Sequence, residues 1–267
     1  MTAALSRTVR LSAAEWDHWY QTGYPTLVSH KETERFYTHV APKPGMTAVD
    51  LACGSGQWTR QLTAWGLTVR GYDFSPEALR QANAAGMRDG LTYARWDIDG
   101  DPIPRTLRPG TVDLVTCRYA LPYLAYARLL TDVGRWLTGT GTFYALVRVD
   151  DKGTTDEDQT ANDEQHARDP FHRGLTEDQI ETLGYGWAYG ETYSLSARHR
   201  AIVLRGYGNT MPCSEAGRRR GHQTPGAGGD PPSPESYAPA PGPYGHGDPA
   251  QAEDPPPDRA AHACAIG

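Results

Sequence analysis

One stretch constrains this chain more than any other: Val49-Asp50-Leu51-Ala52-Cys53-Gly54-Ser55-Gly56, a short apolar run that empties into a glycine turn and then into helix-forming sequence. Glycines at such a turn let the backbone bend sharply and approach a ligand closely, and the unpaired amides at the following helix start favour negative charge. A small anionic or carboxylate-bearing ligand is expected there. Around the turn, strand-like and helix-like stretches alternate. Thr47 to Ala52 reads as a strand, Trp58 to Trp65 as a helix and Thr68 to Tyr72 as a second strand. Ser75 opens another helix, with Pro76 at its first position and Glu77 in its first turn. Leu91 to Trp96, Val112 to Cys117 and Thr142 to Val149 supply three more strands, with a helix at Tyr126 to Leu137 before the last. Parallel neighbours need a crossover, usually helical, so this order predicts a three-layer, Rossmann-like α/β fold around a mostly parallel sheet.

The remaining body breaks the rhythm. After an acidic loop, Asp150 to Asp169, comes a helix at Thr176 to Leu183 and then two strand-like runs, Trp187 to Leu195 and Ala201 to Gly206, joined only by Ser196 to Arg200. A connection that short makes an antiparallel hairpin. The sheet is therefore expected to have seven strands and to end in a reversed C-terminal one. Before the first strand, Ser12 to Phe36 reads as two helices rich in aromatics (Trp16, Trp19, Tyr20, Tyr24), with Ser12 and Glu15 spaced as a capping box.

Asp73 stands seventeen residues after Gly56, at the C-terminal end of the second strand. A carboxylate there can accept hydrogen bonds from both hydroxyls of a ribose, which points to an adenosine-type cofactor. A dinucleotide site would want Gly-x-Gly-x-x-Gly, and Thr59 occupies the sixth position; an S-adenosylmethionine site needs only the Gly-x-Gly turn.

With the terminal hairpin added, the chain from Val40 to about Tyr207 resembles the class I S-adenosylmethionine-dependent methyltransferases, in particular the small-molecule enzymes with the signature Asp-x-x-Cys-Gly-Ser-Gly. By that resemblance Asp50, Ala52, Cys53, Gly54, Ser55 and Gly56 wrap the methionine part of the cofactor. Gly71-Tyr72-Asp73-Phe74-Ser75-Pro76 puts Asp73 on the ribose, with Phe74 beside it. In Arg95-Trp96-Asp97-Ile98, Asp97 meets the adenine amino group and Ile98 its face, and Asp113 to Tyr119, with Arg118, ends beside the sulfonium. The N-terminal aromatic segment folds over the cofactor as a helical lid, bringing Tyr20 to it. Ala52 stands where the family often has glycine, and an alanine there is expected to keep a negative φ. Residues 1–207 would then form the methyltransferase domain.

Other readings of single residues stay open. Cys53 suits a small packing residue, Asp97 could cap a turn before Pro102, and Asp50 could hold the loop through backbone amides or touch the ligand. The groups able to assist proton loss from an acceptor are His18, Tyr20, Tyr24, Tyr119, Tyr123 and His172, none in a recognisable acid-base spacing, so no catalytic residue is assigned. The acidic loop (Asp150, Asp151, Asp156, Glu157, Asp158) has the charge to draw Mg²⁺ or a cationic acceptor. Acidic loops commonly serve solubility, and no metal is expected.

Charge and composition set the outer bounds. Lys+Arg 26 against Asp+Glu 32 gives a net charge of -6, which disfavours nucleic acid as a partner. No apolar stretch approaches the roughly 20 residues of a membrane helix, and no secretory signal is evident in Met1 to Leu11, so a cytoplasmic protein is expected. Four scattered cysteines make neither a disulfide framework nor a zinc site. Residues 208–267 crowd Pro and Gly together while Ile, Leu, Val, Phe and Trp nearly vanish until Ile266, and a disordered tail is expected. Two rival functions share much of this pattern: a non-catalytic S-adenosylmethionine-binding protein and a nicotinamide-dependent Rossmann oxidoreductase.

Overall fold

The computed structural model describes residues 10–23, 27–150 and 169–208. The expected tail, apart from Gly208, and the acidic residues 151–168 lie outside the described residues, as does Tyr24. The elements run α1 (Ala13–Thr22), α2 (His30–Val40), β1 (Thr47–Leu51), α3 (Gln57–Ala64), β2 (Thr68–Asp73), α4 (Pro76–Ala84), β3 (Leu91–Arg95) and β4 (Val112–Arg118). They continue with α5 (Tyr126–Trp136), β5 (Leu137–Arg148), α6 (Glu177–Thr182), β6 (Trp187–Ser196) and β7 (His199–Tyr207).

The strands form one seven-stranded sheet in the order β3-β2-β1-β4-β5-β7-β6. β1 pairs in parallel with β2 and β4, β2 with β3, and β4 with β5. β7 is antiparallel to both β5 and β6. The predicted reversed strand is therefore present, but it lies between β5 and β6, and β6 forms the edge. The turn explains the difference. A hairpin pairs its two strands, and the longer apolar run of β7 (Ala201, Ile202, Val203, Leu204, all buried) suits the interior position better than β6, most of whose residues face water. β5 also begins earlier than its apolar run suggests. It starts at Leu137 and passes through Gly139 and Gly141, where Val112 pairs with Leu137 ahead of a register shift.

Both faces of the central strands are buried with period two, as a sheet between two helical layers requires. Val49 and Leu51 of β1, Val115 and Cys117 of β4, Phe143, Ala145 and Val147 of β5, and Ile202 and Leu204 of β7 pack toward α5 and α6. Ala48, Leu114, Tyr144, Leu146, Ala201 and Val203 pack toward Phe36 of α2 and Trp58 and Leu62 of α3. In the latter layer Phe36 meets Trp58 and Tyr144 edge-on, both at 4.8 Å between ring centres.

The N-terminal helices are set by caps and cross-links. α1 carries the predicted capping box, with Glu15 and Ser12 bonding each other's backbone amides. It has no buried residue of its own and is fixed instead to α4 by polar contacts. Asp17 Oδ1 accepts from Ser75 Oγ at 2.5 Å and from the Glu77 amide at 3.0 Å, and Gln81 Nε2 donates to the Tyr20 carbonyl at 2.7 Å. Asp17 thus acts as a second cap at the N-terminus of α4, where the helix field favours a carboxylate. Among the described residues no helix is long and apolar enough to cross a membrane.

Gly134, inside α5, shows how closely α5 lies on β7: a Cβ there would run into the ring of Tyr207. Gly134→Ala should therefore destabilise by about 1–3 kcal/mol despite alanine's better helix propensity. In a Tyr207→Ala background the same change should be neutral or stabilising. Urea unfolding of the four proteins checks this, and an equal loss in both backgrounds would show that the ring is not the cause.

Candidate functional site

The strand order reverses direction at β1, with β2 on one side and β4 on the other, and in open α/β sheets such a switch point opens a crevice at the carboxyl ends of the strands. A cavity of about 450 Å³ lies there, within the range of small-molecule sites. Eleven of the twelve residues singled out in the sequence line it: Tyr20, Asp50, Ala52, Cys53, Gly54, Ser55, Asp73, Phe74, Asp97, Ile98 and Arg118. Gly56 does not. It caps α3 with φ 74°, and the Tyr93 ring fills the space a side chain would need.

The glycine turn is built for close approach. Gly54 has φ 55°, and a Cβ on it would sit 2.7 Å from Tyr20 Oη. Ala52 departs from expectation: its φ is +51°, not negative. The backbone at this position is left-handed, which explains why glycine suits it, and the hydrogen bond from the Cys53 amide to the Tyr72 carbonyl (2.9 Å) helps hold the turn in that conformation.

Asp73 is buried at the end of β2. Its Oδ2 accepts from the Gly54 amide and its Oδ1 from the Ser75 amide, both at 2.9 Å. A carboxylate has about four acceptor positions, and with the amides of Ser75, Gly54 and Phe74 all acting on it Asp73 keeps capacity for a further donor from the cavity. Burial pushes its pKa up to about 6 against the pull of those amides. Asp50 is also pushed up to about 6 by burial, opposed chiefly by hydrogen bonds from Thr59 Oγ1 (2.7 Å) and Thr116 Oγ1 (2.8 Å). This corrects one sequence expectation, since Asp50 is held by two threonine hydroxyls and not by backbone amides. Thr59, the residue that breaks the dinucleotide pattern, is one of those donors and is fully buried.

Asp97 follows β3 and does cap a turn. Its Oδ1 accepts from the Asp99 and Gly100 amides, both at 3.1 Å, and also pairs with Arg10. Its Oδ2 has no hydrogen-bond partner among the described residues. Arg118, at the end of β4, spends Nε and Nη2 on Glu32 in a buried two-pronged ion pair (2.6 and 2.8 Å), with its guanidinium over the Trp58 and Tyr119 rings. It therefore faces the cavity as an already neutralised wall. Cys53 lines the cavity with its thiol pKa pushed well up by burial and by Asp73 and Asp50, as a packing residue and not a nucleophile.

α1 contributes aromatic rings to the cavity wall. Trp16 meets Tyr123 edge-on at 5.2 Å and Phe171 at 5.1 Å, and Trp19 meets Tyr20 at 5.0 Å. Burial raises the pKa of Tyr20 and Tyr123, the latter to about 12, and that of Tyr119 as well, so all three stay protonated. Tyr119, Tyr123 and His172 line the cavity, but His18 does not. Residues not foreseen also reach it: Arg10, Arg148, Phe171, Arg173 and His199. Arg148 closes the apolar run of β5, and a charged residue at that strand end is a readable signal; His199 and Phe171 are brought in by tertiary structure alone.

Residues 49–145 match the family model of a methyltransferase domain. Among curated proteins, the ubiquinone biosynthesis O-methyltransferase of Paraburkholderia xenovorans is 29% identical over 97 residues, covering 36% of this chain and 41% of that protein. The enzyme of the same name from Cupriavidus pinatubonensis is 32% identical over 85 residues, 32% of this chain and 34% of that protein. The match thus spans about two fifths of the curated relatives or less. Among solved structures, phosphoethanolamine N-methyltransferase 2 of Haemonchus contortus, in complex with S-adenosyl-L-methionine, superposes with a TM-score of 0.57 at 14% identity, over 73% of this chain and 57% of that one. A putative S-adenosyl-L-methionine-dependent methyltransferase of Methanococcus maripaludis gives 0.50 at 17% identity, over 78% and 97%. The chain has the class I S-adenosylmethionine-dependent methyltransferase fold, and the methyltransferase-domain match falls on its central residues.

The buried acids make a pH prediction. Asp50 has a native pKa of about 6 against an ordinary 3.8, so between those values the native state holds more protons than the unfolded one. Its contribution to stability falls as pH rises through that window and stays low above it. Between pH 4 and pH 7 the stability of Asp50→Asn relative to wild type should shift in the variant's favour by on the order of 2 kcal/mol. Urea titrations of the ligand-free proteins at the two pH values measure this, and a constant difference would refute it.

Proposed function

We propose that this protein transfers a methyl group from S-adenosyl-L-methionine to a small-molecule acceptor. The observation that carries the reading is Asp73: a buried carboxylate at the end of β2, tied to the Gly54 amide and lining a cavity with acceptor capacity unused. That remaining capacity suits a ribose hydroxyl, and Asp97 Oδ2, beyond β3, suits the adenine amino group with Ile98 against the ring. Asp50 and Asp73, beside an Asp97 already balanced by Arg10, give this end of the cavity negative charge, which fits a cofactor carrying a sulfonium and an ammonium group. Gly54 and Ser55 supply a close-packed backbone wall, and Phe74 and Tyr20 close the sides.

Bound there, the cofactor would supply an activated methyl group on a good leaving group. What remains for the protein is alignment and the exclusion of water, and positioning of this kind is worth about 7–11 kcal/mol. α1, latched to α4 through Asp17 and Gln81, places Trp16, Trp19 and Tyr20 over the cavity and keeps water out. Tyr20, Tyr119 and Tyr123, all protonated, serve as walls and hydrogen-bond donors, not as bases. The buried Thr59 side chain bound to Asp50 occupies the place where a dinucleotide motif has glycine, which favours this reading over a nicotinamide oxidoreductase. The acceptor is a small molecule, in keeping with a cavity of about 450 Å³. The free thiols Cys53 and Cys117 suit a reducing, cytoplasmic compartment.

A hydrogen bond to a charged group contributes about 1.5–3 kcal/mol, so Asp73→Ala should weaken binding of S-adenosylhomocysteine by roughly tenfold or more. In wild type the affinity should also fall as pH drops through about 6, where protonation removes an acceptor. Calorimetric titration reads both; unchanged affinity in the variant would refute the ribose assignment.

A further inference from the structure

Charge is ordered across the carboxyl edge of the sheet. Read in strand order, the side chains at that edge are Asp97 after β3, Asp73 of β2, Asp50 beside the end of β1, Arg118 of β4, Arg148 of β5 and His199 of β7, and all six line the cavity. Along this row the acids precede the cations; Arg10, from the segment before α1, lies on the acidic side but is paired with Asp97. Arg118 likewise has a carboxylate partner, Glu32. Arg148 is half-buried and has no carboxylate partner among the described residues. A guanidinium facing a cavity without a counter-charge is an arrangement that a bound anion relieves.

Arg148 and His199 are direct cross-strand partners of β5 and β7, so their side chains lie on the same face about 5 Å apart at Cβ. His199 is further oriented by Ser196, whose Oγ lies 2.8 Å from His199 Nδ1 and accepts the Arg198 amide at 3.2 Å. Using the hydroxyl proton of Ser196 toward Nδ1 assigns the remaining imidazole proton to Nε2, a donor. Desolvation and the neighbouring Arg148 lower the His199 pKa, keeping the ring neutral beside the guanidinium. Tyr119 packs edge-on against His199 at 5.6 Å, and Trp16 and Trp19 of α1 with Phe171 from the segment before α6 furnish an apolar wall to the same cavity.

We infer that the methyl acceptor carries an anionic group, a carboxylate or a phosphate, bound by Arg148 and His199, on a flat apolar body that lies against these rings. The inference rests on the methyltransferase reading and names the substrate class of that same cavity. The opposed charges separate two ligands: the cationic cofactor takes the acidic half, and the acceptor enters with its anion toward β5 and β7.

The test uses the full chain saturated with S-adenosylhomocysteine, titrated calorimetrically with benzoate, phenyl phosphate and benzyl alcohol as their neutral counterpart. At least one anion should bind roughly tenfold tighter than the alcohol, and which one does so distinguishes carboxylate from phosphate. Arg148→Gln should abolish that preference while holding S-adenosylhomocysteine affinity within about twofold, since the cofactor half lies elsewhere. No preference for either anion in wild type, the absence of any binding included, overturns the proposal. So does a variant that weakens S-adenosylhomocysteine and not the anion, which would place Arg148 on the cofactor. The wild-type comparison needs no variant and stays decisive if Arg148→Gln misfolds. S-adenosylhomocysteine binding is measured first: if it is absent, the methyltransferase reading falls and takes this one with it, whereas cofactor binding without anion preference removes only the acceptor assignment.

Discussion

Asp73 joins the parts of the site that are far apart in sequence. Its carboxylate takes the amide of Gly54, after β1, and the amide of Ser75, before α4; the Ser75 hydroxyl in turn donates to Asp17 on α1. One chain of hydrogen bonds therefore runs from the glycine turn to α1. Burial favours the neutral acid, and the amides of Ser75, Gly54 and Phe74 oppose that, leaving it ionised at neutral pH with its pKa pushed up only to about 6. The same hydrogen bonds tie the cavity wall at Asp73 to the N-terminus of α4 and, through Asp17, to α1.

The fold was legible because its signals are local and repeat. Period-two apolar runs on both sheet faces, Pro76 after a capping serine, and the short link between the last two strands each specify a piece of structure without reference to the rest. What failed to show was the product of pairing. Whether β6 or β7 lies inside depends on which face-to-face burial is larger, and the early start of β5 depends on Val112 offering a partner to Leu137. In the site, the Gly54 turn and Asp73 stand out because their chemistry needs those residue types at strand ends. Phe171 and His199 do not, since an aromatic ring in a loop or a histidine in a hairpin carries no mark of the cavity it will face. Asp50 was visible as a residue but not in its bonding, because Thr59 and Thr116 reach it from a helix and a neighbouring strand.

Backbone strain collects at the same edge. Ala52 and Tyr119 follow adjacent strands, β1 and β4, and both hold left-handed backbone at φ 51° and 59°. Each such residue costs on the order of 1–2 kcal/mol, and here neighbours hold both: the Cys53 amide on Tyr72 and the Tyr119 amide on Leu146, at 2.9 and 2.6 Å. The effect is to turn the chain away from the strand direction just beyond the sheet, opening the crevice between β1 and β4 instead of letting the two loops pack across it.

The reversed strand has a consequence for chemistry as well as for topology. Parallel strands bring only their C-terminal residues to the carboxyl edge, which is why Asp50, Asp73, Arg118 and Arg148 occur at or next to the ends of their strands. β7 runs the other way and delivers its first residue, His199, to that edge, fixed by the tight turn from Ser196. The hairpin thus extends the row of cavity side chains one strand beyond β5 without another crossover helix. Because β7 pairs with β5 in a register that sets His199 opposite Arg148, the position of the second donor is determined by the sheet and not by a loop. Under the proposed arrangement of two ligands of opposite charge, both poles would be mounted on the same sheet, with the neutralised Arg118 and Glu32 pair between them.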